Sequence, residues 1–344
     1  NKVYPESNPL FERVSANFEK HIEDDNIDFY YERNIPEMLS KLGPKSAVGD
    51  VNGNGLQDIY IGGTKGHPGQ IYIQTSFGTF EKKSEPAFNQ FGDFEDAAVL
   101  FFDADKDGDL DLIVGAGGNS DPPLSRQMQL RLFKNDGKGN FTLDAGAFPQ
   151  TGVNTGVIIA YDFNKDGSDD LFVGGRNYPR EYGMNPSSFL FVNDGEGHFK
   201  DIARTENPDI AGIGMVTGAT WTDLDGDGNK ELVIVGEWMA PHIFSFRSGR
   251  FVEIKSNLNA LSGWWQTVTS ADVNGDGKPD LILGNIGENF YLRPDSSRSV
   301  KLWIKDFNQN NNLDKILTYA VDGRDMPVFL KKVLEDERSS IEKK

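Results

Sequence analysis

One nine-residue pattern recurs six times in this chain and limits its fold more than any other feature. The clearest copy is Asp272-Val-Asn-Gly-Asp-Gly-Lys-Pro-Asp280. It sets side-chain oxygens at loop positions 1, 3, 5 and 9 (Asp272, Asn274, Asp276, Asp280) around Gly277 at position 6. Oxygen ligands at alternate positions wrapped on a glycine turn suit a hard cation such as Ca²⁺. The same positions are filled by Asp50, Asn52, Asn54 and Asp58, then by Asp103, Asp105, Asp107 and Asp111. The third and fourth copies use Asp162, Asn164, Asp166 and Asp170, and Asp223, Asp225, Asp227 and Glu231. A sixth copy, Asp306, Asn308, Asn310 and Asp314, departs from the pattern because Asn311 stands at the glycine position. Position 7 is expected to lend a backbone carbonyl, at Leu56, Asp109, Ser168, Asn229, Lys278 and Asn312. The cofactor expected is therefore Ca²⁺, in up to six sites, with the sixth the weakest.

These loops are not EF-hands. An EF-hand needs a bidentate Glu at position 12 and a helix on either side. Position 12 here is Ile61, Val114, Val173, Ile234, Leu283 and Leu317, all apolar. The flanks are short apolar runs such as Asp111-Leu-Ile-Val-Gly115, which read as strands.

The loops begin at residues 50, 103, 162, 223, 272 and 306. A repeat of about 50 residues holding four antiparallel strands has the size of a propeller blade. The turn between the third and fourth strands recurs as Asn135-Asp-Gly-Lys-Gly-Asn-Phe141 and Asn193-Asp-Gly-Glu-Gly-His-Phe199, a hairpin signal. The expectation is an all-β propeller of four-stranded blades, six from six loops, with room for a seventh. It spans residues 43–331, between an N-terminal region (1–42) and a charged tail (332–344). In the first region, residues 1–9 read as a tether and Leu10-Phe-Glu-Arg-Val14 as an outer strand closing the ring. Phe29-Tyr-Tyr31 reads as a strand and residues 35–42 as a helical turn or two.

Composition narrows the function. The net charge is −18, and the loop side chains at positions 1, 3, 5 and 9 alone carry 18 carboxylates, so the acidity is largely site acidity. Basic patches are absent, which argues against nucleic acid as a partner. No apolar run approaches a membrane span. The chain has no cysteine, which removes thiol catalysis and thiolate metal sites. His21, His67, His198 and His242 are scattered, no Gly-x-Ser-x-Gly elbow occurs, and no catalytic residue is assigned.

Acidic loops followed by apolar runs and paired glycines, as in Ile59-Tyr-Ile-Gly-Gly63 and Leu171-Phe-Val-Gly-Gly175, resemble FG-GAP or VCBS repeats. That family forms calcium-loaded β-propellers, including the head of integrin α chains. Gly43-Pro44, Gly49-Asp50-Val-Asn-Gly53, Gly263-Trp-Trp265 and Lys305-Asp-Phe-Asn308 further resemble bacterial surface proteins that combine VCBS repeats with ASPIC/UnbV modules. The resemblance implies an exported or outer-membrane protein, held by a lipid anchor outside this chain, with a protein partner in a nutrient-uptake complex.

Acidic loops on one face leave the opposite face for a ligand, and binding residues concentrate on such loops. Trp264 and Trp265 could stack on a sugar ring, or pack between blades. Arg176, Tyr178, Arg180 and Tyr182 could grip a carboxylate or a partner protein, or form a self-packed loop. The leading expectation is an extracellular binding or assembly module. The alternatives are a glycan-binding protein and, third, a polysaccharide-acting enzyme.

Overall fold

The computed structural model describes residues 17–329, apart from 296–297, 308 and 310–312. The chain is nearly all β and forms a propeller-like array of antiparallel sheets. The first blade holds β1 (Ser46–Gly49), β2 (Asp58–Ile61), β3 (Gln70–Ser76) and β4 (Thr79–Lys83). The second holds β5 (Asp96–Phe102), β6 (Asp111–Ala116), β7 (Arg131–Asn135) and β8 (Phe141–Asp144). The third holds β9 (Asn154–Tyr161), β10 (Asp170–Asn177), β11 (Phe189–Asn193) and β12 (Phe199–Asp201). The fourth holds β13 (Met215–Thr222), β14 (Glu231–Met239), β15 (His242–Arg247) and β16 (Arg250–Glu253). In each, consecutive strands pair, and every acidic loop joins the first strand to the second.

The last two blades are shorter. Among the described residues the fifth contains β17 (Gly263–Ala271) and β18 (Asp280–Asn285), and β17 also pairs with the end of β14. The sixth contains β19 (Val300–Lys305), β20 (Asp314–Val321) and β21 (Arg324–Pro327). Six loops therefore do not make six complete blades among the described residues, and the sheets do not close into a full ring. The short interval between the fifth and sixth loops has its cause here: residues 286–295 and 298–299 are coil and a single 3₁₀ turn where two outer strands stand in the complete blades.

First strands β1, β5, β9, β13 and β17 lie side by side around the axis. They approach closely enough to demand glycine. A Cβ on Gly156 would stand 1.9 Å from the Val216 carbonyl oxygen of the next blade. Outward from the axis, apolar clusters fill the space between neighbouring blades. Ile71 packs with Phe133 and Phe141, Leu132 with Phe191 and Phe199, and Leu190 with Phe244 and Phe251. Each interface thus joins an aliphatic side chain from one third strand to two aromatic rings of the next blade. Such burial contributes roughly 25 cal/mol per Å² of apolar surface.

The N-terminal segment corrects two expectations. Asp28–Tyr30 is a 3₁₀ turn, not a strand, and residues 35–42 form turns rather than a helix. The reason is the buried Asp28 carboxylate, which accepts the N–H groups of Leu39 (2.5 Å) and Ser40 (2.8 Å). Those donors are unavailable to a helix, and Pro36 removes another. This segment packs Ile35 and Leu39 against Tyr182 and Met215, with Trp238 and Leu302 at the edge. It crosses the loops between second and third strands: Thr64 donates to the Ile22 carbonyl (2.6 Å), and Asn119 donates to Glu32 (3.0 Å). The face expected to be open for ligands is therefore partly covered by residues 22–42. The expected closing strand Leu10–Val14, residues 1–9 and the tail 332–344 lie outside the described residues.

Candidate functional site: acidic loops and an aromatic cleft

The five loops described in full share one construction. Position 6 has a positive φ, from +82° at Gly55 to +91° at Gly108, a region glycine enters without a Cβ penalty. The position-1 carboxylate accepts loop N–H groups: Asp272 takes Gly275 (2.7 Å), Asp276 (3.2 Å) and Gly277 (2.9 Å). The position-5 side chain accepts the N–H of position 7, as Asp107 does from Asp109 (2.9 Å) and Asp166 from Ser168 (2.9 Å).

Position 9 anchors the loop to the blade. Asp58, Asp111, Asp170 and Glu231 are each no more than 1% exposed. One oxygen of Asp58 accepts Val51 N–H (3.0 Å) and the other Gln74 N–H (2.8 Å) on the third strand. Asp111 repeats this with Ala104 (3.0 Å) and Asn135 (2.7 Å). Burial pushes the Asp111 and Asp170 carboxyls up to about 7, against the pull of their backbone hydrogen bonds. Burial also raises Asp58 and Glu231.

The donor sets fit a hard cation. Asp103, Asp105 and Asp111 bring one oxygen each within 4.8 Å of one another, and so do Asp223, Asp225 and Glu231. Buried oxygens without a hydrogen-bond partner occur at Asp103 Oδ1, Asp105 Oδ1, Asp170 Oδ2 and Glu231 Oε1. A buried acceptor left bare costs about 1–3 kcal/mol, and a bound cation would satisfy several at once. Loops two, three and four carry this signature. The first loop places Asn52 and Asn54 against its own backbone. In the sixth, Asp314 accepts Phe307 N–H (2.9 Å), while Asn308, Asn310 and Asn312 lie outside the described residues. A further group, Asp194, Glu196 and His198, sits exposed in the β11–β12 turn. Its alternate spacing, Asp194-Gly-Glu-Gly-His198, is legible in the sequence within the hairpin pattern.

The two tryptophans part company. Trp265 packs with Val233, Val235, Ile243 and Val268 between the fourth and fifth blades, and its indole N–H donates to the Leu261 carbonyl (2.9 Å). Trp264 instead lines a cleft of about 1050 Å³ together with Trp238, Asn285, Glu288, Phe290 and Arg293. Its ring is held edge-on by Trp238 (4.8 Å) and Phe290 (4.7 Å).

The expected grip of Arg176, Tyr178, Arg180 and Tyr182 is corrected for three of its members. Tyr182 is fully buried and donates to Glu237 (3.0 Å). Arg176 is 8% exposed and bridges Glu37 (2.7 Å) and Glu237 (2.5 Å). Tyr178 shares a hydrogen bond with Ser187 (3.1 Å). Arg180 stays at the surface, over the Tyr31 ring at 5.1 Å and bonded to the Ser120 carbonyl. These groups hold the loop and the N-terminal segment together. The sequence could not show this because Glu32, Glu37 and Glu237 are remote from the loop in the chain.

The FG-GAP-like repeat profile matches residues 50–114, 162–234 and 223–283, together more than half of the chain. The chain belongs to the FG-GAP-like repeat family. Cartilage acidic protein 1 of Xenopus tropicalis is 27% identical over 169 residues, covering 47% of this FG-GAP-like chain and 24% of that protein. The human protein of the same name is 27% identical over 143 residues, covering 39% and 19%. The matches thus span about a quarter or less of those relatives. Among solved structures, an Agrocybe aegerita lectin that recognises non-reducing terminal N-acetylglucosamine aligns with a TM-score of 0.48 at 17% identity, covering 83% of this chain and 80% of its own. The Vibrio cholerae biofilm matrix protein Bap1 aligns at 0.35 and 15% identity, covering 82% and 37%.

Proposed function

We propose that this FG-GAP-like domain is a calcium-stabilised binding module of the cell exterior that takes a glycan at the Trp264 cleft. The observation that carries the reading is the wall of Trp264, Trp238 and Phe290 beside Asn285, Glu288 and Arg293. A concave, largely apolar site with a few polar groups is the usual form of a small-ligand site. A sugar ring presents C–H groups to an aromatic face and hydroxyls to the polar rim. The cations would be structural. Up to six nearly alike loops would each pin the turn between the first two strands of a blade, and none resembles a single reactive centre. Extracellular modules hold Ca²⁺ at about 10⁻⁴–10⁻³ M, which supports an exterior location.

The test is a glycan array with the wild-type domain, Trp264→Ala and Trp265→Ala, all in calcium. Trp264→Ala is expected to abolish binding with an unchanged melt, whereas Trp265→Ala lowers the melt. Absence of binding to any glycan by the wild type sinks this reading, and release of product from a polysaccharide would turn it towards an enzyme.

A second reading, assembly with a protein partner in an outer-membrane uptake complex, is favoured by the incomplete fifth blade. Its test is affinity purification from gently solubilised membranes with calcium and with EGTA. A stoichiometric partner lost in EGTA is expected. A domain recovered alone in both refutes it.

A further inference from the structure

The fifth blade ends at β18, an edge strand whose sole ladder partner among the described residues is β17. Leu281, Ile282 and Leu283 form this edge, and Ile282 is 47% exposed. An exposed apolar edge is a template for another strand. Leu281 and Leu283 pack with Ile243, Leu224 and Ile254 of the fourth blade, and these three fourth-blade residues, with Val252, Asp225 and Glu253, also line a hollow of about 510 Å³.

The other blades state what belongs at this edge. Their third strands carry an aliphatic–aromatic pair: Ile71-Tyr72, Leu132-Phe133, Leu190-Phe191 and Ile243-Phe244. In register, the aromatic residue stands opposite Ile59, Leu112, Leu171 and Leu232, and the aliphatic opposite Tyr60, Ile113, Phe172 and Val233. Two residues past the aromatic, the N–H of Gln74, Asn135 and Asn193 docks on the position-9 carboxylate. A Phe then opens or nearly opens the fourth strand, at Phe80, Phe141, Phe199 and Phe251.

Those two aromatics are what the preceding blade's third-strand aliphatic packs against, as Leu190 does with Phe244 and Phe251. Ile243 is the aliphatic of the fourth blade; among the described residues its cluster holds Trp265 of β17 in place of two outer-hairpin rings, and Ile243 also lines the hollow. Asp280 likewise has no third-strand N–H among the described residues, and its Oδ1 reaches only its own loop's Asn274 at 3.5 Å. Among the described residues this site therefore departs from the complete blades in three ways: a ladder edge, an apolar hollow and a position-9 carboxylate with no third-strand donor.

We propose that this site binds a β-hairpin of a partner protein, bearing an aliphatic–aromatic pair opposite Ile282 and Leu281, Asn or Gln two residues on, and Phe seven or eight residues after the aromatic. Strand addition to a sheet edge takes affinity from main-chain bonds and specificity from side-chain pockets. The chain's own described residues do not supply the hairpin. Residues 286–295 turn away, with Phe290 against Trp264, and the N-terminal segment places Phe18 on Tyr72 and Phe80 of the first blade. This inference deepens the assembly reading by naming the surface and the partner's chemistry.

The probe is a fluorescent peptide of residues 130–144, which carries Leu132, Phe133, Asn135 and Phe141, titrated into the full chain in calcium. Saturable binding is expected. The Phe133→Ala and Phe141→Ala peptides should each bind about tenfold or more weakly, as should the wild-type peptide to Ile282→Lys. Val252→Lys, on the floor of the hollow, is the second variant should Ile282→Lys disturb the fold, and Trp264→Ala should bind as wild type. Equal binding by wild-type and Phe→Ala peptides overturns the proposal, as does slow amide exchange at residues 281–283 in the peptide-free monomer. A dimer lost in Ile282→Lys would mean that a second copy covers the edge, and also overturns it. A hairpin that binds while co-purification finds no partner leaves the surface standing and removes only the uptake complex.

Discussion

The side-chain amide of Asn193 in the third blade reaches the Ala104 carbonyl in the acidic loop of the second blade, at 2.8 Å. It also donates to the Asp169 carbonyl of its own loop at 3.1 Å. Asn135 does the same one blade earlier, to Val51 (2.7 Å) and Leu110 (3.1 Å). Each asparagine therefore ties two acidic loops together. Both are buried, so removing the amide bares two carbonyls at about 1–3 kcal/mol. Asn193→Ala should lower stability by that order in a denaturant melt, and Asn193→Ser should recover little. A melt unchanged within about 0.3 kcal/mol would show that these bonds are not net stabilising.

Through the same tie, a cation bound in one loop would steady its neighbour as well. A site of about 10⁻⁴ M affinity in about 1 mM calcium would stabilise the fold by about 1.4 kcal/mol. EGTA is expected to lower the melting temperature, and calcium, not magnesium, to restore it. Asp111→Asn and Asp170→Asn should each remove part of the calcium response. A melt indifferent to EGTA would remove calcium from the account.

Much of the fold was legible because it is local. Position 6 glycines, Asn-Asp-Gly turns and apolar runs specify each strand–loop–strand unit within about a dozen residues. Four complete blades followed from that grammar, whereas the anchoring of position 9 to the third-strand backbone did not. What it hid is long-range. The fifth loop, Asp272–Asp280, is the most regular of all, yet its blade has two strands among the described residues, because what comes after β18 lacks the outer hairpin's pattern. Likewise, Trp264 and Trp265 are adjacent and chemically identical. Alternation across β17 sends one into the inter-blade core and the other into the cleft.

Glu95 gives a pH prediction. It is nearly buried, and burial raises its carboxyl to about 9, with Glu23, Asp24, Asp28 and Asp96 adding like charge. Its ordinary value is 4.5, so between those values the folded state holds a proton that the unfolded state has lost. The native form binds more protons, and stability falls as pH rises through that window. Arg131, 2.6 Å from Asp96, keeps Asp96 compensated and leaves Glu95 as the group to change. Glu95→Gln should flatten the decline between pH 5 and pH 9 by more than about 1 kcal/mol, read from urea melts across that range. Parallel wild-type and variant curves would refute this assignment.

The last prediction concerns how the sixth sheet is held. Lys315, at the start of β20, meets Glu32 of the N-terminal segment at 2.7 Å, with both side chains at most 4% exposed. Glu32 also accepts the N–H of Tyr182 (2.6 Å) and the amide of Asn119 (3.0 Å), so one carboxylate joins the second, third and sixth sheets. Breaking a buried pair by removing one partner costs about 3–5 kcal/mol, because the other charge is left unpaired, whereas replacing both can be nearly neutral. Lys315→Met should therefore release β19–β21 first, seen as faster amide exchange there while the first three blades stay protected. The double variant Glu32→Gln, Lys315→Met should recover most of the loss, since Gln keeps an acceptor for Tyr182 and Asn119. If Lys315→Met instead melts the whole array in one step, the sixth sheet is part of a single cooperative unit, and Glu32 is a keystone of the domain rather than a latch on its last sheet.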